Sequence, residues 1–131
     1  MTSKMVTKPW GKEDWIAYND FYALKLITLK SGHRTSLHYH HQKHETYFVS
    51  SGRILSWLEN DKGTIDKKEM AAGSIVVIAP PRAHRVEAIE ETTLIEVSTP
   101  HLDDVIRVED DFGRGNGRIA SEHAAEATVG D

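Results

Sequence analysis

The sequence predicts an all-β fold that closes into a barrel or a two-sheet sandwich. Three observations carry that prediction. Short runs rich in Val, Ile, Leu, Thr and aromatic residues recur along the 131-residue chain, Gly, Asn, Asp and Pro interrupt them at regular intervals, and no run sustains a helical period. Closure follows because many short strands in an open sheet would leave unpaired edges.

The elements follow in order. Strands are expected over 10–18 and 21–29, parted by Asn19-Asp20, and then over 35–40 after the Ser31-Gly32 turn. Further strands are expected over 45–50 and 53–59, parted by Ser51-Gly52, and over 64–69. Asp61-Lys62-Gly63 reads as a hairpin turn, since Gly accepts the positive φ such turns demand. The last strands fall over 74–78, 84–89 and 93–98, bounded by Ala71-Ala72-Gly73, Pro80-Pro81 and Glu90-Glu91. The globular domain is expected over 8–114, with residues 1–7 flexible. Residues 115–131, rich in Gly, Ala, Glu and Ser, are expected to form a disordered tail with at most a helical turn near 121–127.

Composition narrows the function classes. Sixteen Lys and Arg against twenty Asp and Glu give a net charge of −4, so the chain offers no basic field for a nucleic-acid backbone. It contains no Cys, which excludes disulfides, thiolate metal sites and thiol catalysis. No apolar run is as long as a membrane span, and the first ten residues lack a signal-peptide core, so the expected compartment is the cytoplasm.

Histidine is the outlying residue: five of the eight, His33, His38, His40, His41 and His44, fall between positions 33 and 44. On a strand, alternate side chains share a face, so His38 and His40 point the same way. Glu45 opens the next strand and folds back beside them, with Tyr47 and Val49 on the same face. His84, on a later strand, supplies a fourth ligand from across the barrel. Three imidazoles and a carboxylate suit a divalent Fe, Mn, Ni, Co or Zn ion without choosing among them. His33, His41 and His44 fall outside these ligand positions.

Gly32, His38, His40, Glu45 and Gly52 stand at the spacing of the first motif of the cupin superfamily, which the chain resembles. Gly73 and His84 match the second motif, whereas Ala79, Pro81 and Ala88 replace its usual Pro, Gly and Asn. The resemblance implies a cupin-type double-stranded β-helix, that is, a jelly-roll barrel. A narrower likeness runs from Lys8 to Arg114, through Lys8-Pro9-Trp10-Gly11, the run 25–29, the segment 36–41 and the ending 102–114. These segments resemble type II phosphomannose isomerases, often the C-terminal part of a bifunctional mannose-1-phosphate guanylyltransferase, and in particular their stand-alone relatives. The chain departs from that family at His38, where Gln is common.

This second resemblance implies aldose–ketose isomerisation of a phosphorylated hexose, mannose 6-phosphate to fructose 6-phosphate. Such a site needs a Lewis acid, a group that moves a proton between C1 and C2, and a phosphate clamp. Lys25, mid-strand among apolar neighbours, is a candidate base or an edge-strand Lys reaching outward; His44 and Tyr47 are further candidates. For the clamp the basic residues nearest the ligands are Arg34, Lys43, Arg53 and Arg82. Arg34 shares the ligand face if its strand runs unbroken to His38, Arg85 faces away from His84, and Arg107 and Arg114 belong to the family-like ending, where they are either clamp or scaffold. A non-haem metal dioxygenase and a non-catalytic sugar-binding or regulatory cupin are the alternative readings. The run 21–29 is apolar on both faces, which predicts a homodimer.

Overall fold

The computed structural model describes residues 2–124. Its strands are β1 (Lys4–Lys8), β2 (Gly11–Tyr18), β3 (Ala23–Leu29), β4 (Leu37–Tyr39), β5 (Glu45–Ser51), β6 (Arg53–Glu59), β7 (Ile65–Ala71), β8 (Ile75–Ile78), β9 (His84–Ala88), β10 (Thr92–Ser98) and β11 (Ile106–Glu109), with one helix, α1 (Ala120–Ala124). They form a six-stranded sheet in the order β1-β2-β3-β10-β5-β8, facing a five-stranded sheet in the order β11-β4-β9-β6-β7. Every pairing is antiparallel. The all-β jelly-roll expectation therefore holds.

Period-two patterning decides what faces inward. On β3, Ala23, Lys25, Ile27 and Leu29 are buried; on β5, Glu45, Tyr47 and Val49; on β10, Thr92, Leu94, Glu96 and Ser98. Ladder register aligns these into rows. One row crosses the six-stranded sheet as Trp15, Lys25, Glu96, Tyr47 and Val76; another crosses the five-stranded sheet as Arg107, His38, His84 and Leu58. Trp10, Ile27, Leu29, Tyr47, Val49, Ile54, Val76, Ile78, Val86, Ala88 and Leu94 pack into one apolar core. Charged rows thus lie between apolar ones inside the same barrel.

Two glycines permit close chain approaches. A Cβ at Gly52, where φ is +93°, would lie 2.4 Å from the Glu91 carbonyl oxygen. At Gly11 it would lie 1.9 Å from the Thr28 carbonyl oxygen. Only glycine fits either place, since no side chain can occupy a contact that short. In the β6–β7 hairpin, Asn60 Oδ1 accepts from the Lys62 and Thr64 amides while Gly63 takes a φ of 80°.

The ends of the chain depart from expectation. The expected flexible stretch 1–7 is ordered from Lys4 onward, because Lys4–Lys8 pairs with β2 and fully buries Val6, while residue 1 lies outside the described residues. A single inward Val in a polar run was too weak a signal for a strand. Residues 115–124 also pack: Asn116 Oδ1 accepts from the Arg107 amide, Gly117 N donates to Val105 O, and Glu122 accepts from Lys8 and Arg114. Polar contacts, rather than apolar burial, hold this segment. The expected turn at 121–127 corresponds in part to α1, and its remainder, with the rest of 125–131, lies outside the described residues.

Candidate metal centre

His38 leaves β4 directly opposite His84 on β9, and Glu45 approaches from the start of β5 in the facing sheet. One ligand atom from each of His38, His40, Glu45 and His84 lies within 4.8 Å of all the others. The loop that brings His40 and Glu45 together is held by Asp104, whose carboxylate accepts from the amides of His41, Gln42 and Lys43 at 3.0, 2.7 and 3.1 Å. Those three amides, against the opposing effect of burial, hold the Asp104 carboxyl below its usual value.

Each imidazole is oriented by its Nδ1. That atom meets a main-chain carbonyl in every case: Ser36 O for His38, Asp104 O for His40 and Arg82 O for His84. A carbonyl can only accept, so Nδ1 carries the proton and, in the neutral ring, Nε2 keeps its lone pair. For His38 the neutral form is favoured: burial, then the His84 and His40 rings, hold it well below its usual pKa. His40 Nε2 and His84 Nε2 are buried without a hydrogen-bond partner, although His84 Nε2 stands 2.7 Å from Glu45 Oε1. Inward imidazole nitrogens gathered beside a carboxylate form a donor set that fits a divalent metal.

Glu45 is ionised. Burial opposes its charge, but Lys43 and the two imidazoles outweigh burial and keep its carboxyl well below the ordinary range. Lys43 Nζ lies 2.8 Å from Glu45 Oε2 and 3.3 Å from Glu96 Oε2, all three residues being buried. Burial would lower the Lys43 pKa, yet Glu45 and Glu96 raise it well above its usual value. Glu96 moves the other way from Glu45: burial raises its carboxyl pKa more than Lys43 lowers it.

The centre opens into a cavity that runs past Lys25, Glu96 and Tyr47 to Trp15, Arg107, Arg114 and Arg118. Among the proton-transfer candidates, Lys25 and Tyr47 line it and His44 does not. The exposed His44 is turned outward by the alternation that buries Glu45, and its amide donates to Thr99 Oγ1. Lys25 is buried rather than reaching outward, pairs with Glu13 at 3.2 Å and lies 5.0 Å from the Trp15 ring centre. Burial opposes ionisation of Glu13, but Lys25 and Lys8 hold its pKa down at about 2. Tyr47 donates to Ser56 Oγ, and burial pushes its phenol up to about 12.

Of the four clamp candidates, only Lys43 reaches this cavity. Arg34 does not, because the strand breaks before Leu37 and the Arg34 guanidinium forks onto Asp111 at 2.7 and 2.8 Å. Arg53 pairs with exposed Glu69, and Arg82 is tied to Glu59 O and Asp61 beside a separate groove. Arg85 is fully buried on the far side, bonded to Thr35 O and Glu109. Glu13 and Glu96 escaped the sequence reading. The legible signal was a carboxylate at an inward position of an alternating strand, as in Leu94, Glu96 and Ser98.

An antiparallel jelly-roll with a His–His–Glu–His cluster at the facing sheets defines a cupin. Within that class the chain belongs to the family described as mannose-6-phosphate isomerase C-terminal, whose sequence model matches residues 1–110. It is 30% identical over 112 residues to a mannose-1-phosphate guanylyltransferase of Escherichia coli (strain K12), covering 83% of this chain and 23% of that protein. It is 34% identical over 112 residues to mannose-1-phosphate guanylyltransferase 2 of Escherichia coli O157:H7, covering 82% and 22%. The chain therefore spans less than a quarter of the length of these relatives. In fold it is similar to the capsular polysaccharide assembling protein CapF of Staphylococcus aureus, with a TM-score of 0.70, 19% identity, and 80% and 34% of the two chains covered. It is also similar to Bacillus subtilis oxalate decarboxylase, a protein with Mn(II) centres, with a TM-score of 0.68, 20% identity, and 79% and 29% covered. Among the described residues no helix is long and apolar enough to cross a membrane.

Proposed function

We propose that this chain is a metal-dependent aldose–ketose isomerase acting in the cytoplasm on a phosphorylated hexose, mannose 6-phosphate in the first instance. The observation that supports it most is the inward convergence of three Nδ1-anchored imidazoles and an ionised Glu45 at the end of a cavity lined with both acids and bases. His38, His40, Glu45 and His84 would hold the ion, which when bound supplies a Lewis acid for the substrate carbonyl and its neighbouring hydroxyl.

The chain's own residues supply the rest. Glu96 is our choice for moving the proton between C1 and C2, since burial has raised its pKa toward the range a general base needs. Tyr47, protonated at neutral pH, is a donor rather than a base. Lys25 lies beside Glu96 in the ladder and, paired with Glu13, steadies the charge on that side of the cavity.

Metal-loaded protein is expected to turn over mannose 6-phosphate in a coupled assay, to lose turnover on chelation, and to regain it with a divalent ion. No turnover of any hexose phosphate by fully metallated protein would overturn the isomerase reading in favour of sugar binding. Oxygen uptake with Fe(II) would favour a dioxygenase.

We also propose that the protein acts as a homodimer through the outer face of its six-stranded sheet. There Ile75, Phe48 and Ile95 form one row and Val77, Thr46 and Val97 the next, with Val77 69% and Ile75 62% exposed. Sedimentation at micromolar concentration should give a dimer that Val77→Lys dissociates; a wild-type monomer would refute the assignment.

A further inference from the structure

β11 runs beside β4, and the ladder sets Arg107 directly opposite His38, which is itself opposite His84. Directly opposed residues of antiparallel strands share a face, with Cβ atoms about 4.5–5.5 Å apart. Arg107 therefore stands one strand from the metal cluster on the same inner surface, and it lines the same cavity.

The charges at this end of the cavity are otherwise balanced. Lys25 has Glu13, Lys8 has Glu122, Arg114 has Asp110 and Glu122, and Arg118 has Asp103. Arg107 has no carboxylate partner among the described residues. Its Nη1 donates to the main-chain carbonyls of Gly115 and Gly117, and its Nε is buried with no acceptor. Burial and the nearby Arg114 work against its charge more than Glu122, Asp110 and Glu13 favour it, and each of those carboxylates is paired with another cation. Leaving a charged donor unmet in this way is costly, and an anion would remove the cost. The two carbonyls also fix the guanidinium before any ligand arrives.

We propose that Arg107 is the anion-recognition residue of this cavity, binding the phosphate of a ligand whose other end reaches the His38, His40, Glu45 and His84 cluster. This assignment deepens the phosphosugar reading and rests on it for the identity of the ligand, but not for the presence of an anion subsite. It replaces Arg34, Arg53 and Arg82, whose guanidiniums are engaged outside the cavity. The segment 115–118 becomes part of the site, because it supplies the carbonyls that orient Arg107.

Calorimetric titration of the full chain with inorganic phosphate, with mannose 6-phosphate and with mannose tests the proposal without requiring turnover. Arg107→Gln is expected to weaken both phosphate ligands by at least ~10-fold, as loss of a charge-assisted contact does. Mannose binding and metal content should not change. Because phosphate can also ligate a metal, the loss must appear in metal-free protein as well. If Arg107→Gln does not fold, Arg107→Lys decides: a several-fold loss supports the planar guanidinium, and unchanged affinity overturns it. Phosphate binding that is absent from the wild type, or equal in Arg107→Gln, also overturns the subsite. Arg107-dependent binding without isomerisation would retain the subsite and discard the isomerase reading.

Discussion

Replacing His40 with alanine is expected to strip most of the divalent metal from the purified protein. The imidazole is 2% exposed, its Nδ1 is committed to Asp104 O, and its Nε2 has no protein hydrogen-bond partner. The ring therefore contributes its inward lone pair to the cluster and little else. Loss of an outer-sphere partner already lowers metal affinity by roughly 10–100-fold, so removal of one of the four candidate ligands should exceed that range. Metal analysis after dialysis, alongside the melting temperature with and without added ion, gives the readout. Wild-type metal occupancy in a stably folded variant would exclude His40 from the ligand set.

Lys43→Met is expected to destabilise the fold by about 3–5 kcal/mol, the usual cost of removing one member of a buried ionic group. Lys43 Nζ is the cation shared by Glu45 and Glu96, and without it these two buried carboxylates lose the charge that lies between them. The pH dependence has a definite sign. The folded pKa of Lys43 lies above its ordinary value of 10.5, so its contribution is intact through the neutral range and is lost only as pH rises through the folded value. The folded pKa of Glu96 is also raised, and removing Lys43 raises it further; protonation then relieves the variant as pH falls through the folded value, and the relief is complete by the unfolded value of 4.5. The variant should thus come closest to wild type in acid and be weakest above neutrality. Denaturant unfolding across that range measures the trend, and Glu96→Gln in the Lys43→Met background should restore part of the loss. A pH-independent deficit of less than about 1 kcal/mol would show that Lys43 does not neutralise this pair.

Much of the barrel and of the candidate centre was legible without coordinates. Strand alternation is local, so His38, His40 and Glu45 could be assigned a common direction from spacing alone, and Gly52 could be read as a turn. The same rule failed for Arg34. Alternation was extended from His38 through residues that are not a continuous strand, and the guanidinium leaves for Asp111 instead. At the termini, the apolar content that predicts order was too low to reveal β1 or the packing of 115–124, which hydrogen bonds and ion pairs hold in place.

By itself the sequence determined the all-β class, the inward histidines and the family-like segments, because each depends on neighbours in the chain. Only the tertiary structure decided which charges meet. That Lys43 bridges Glu45 and Glu96, that Lys25 takes Glu13, and that Arg107 stands opposite His38 all depend on which strands pair and in what register. Pairing partners lie far apart in sequence, and a slip of one residue would turn Glu45, Glu96, Lys25, Glu13, Arg107 or His38 to the opposite face of its sheet.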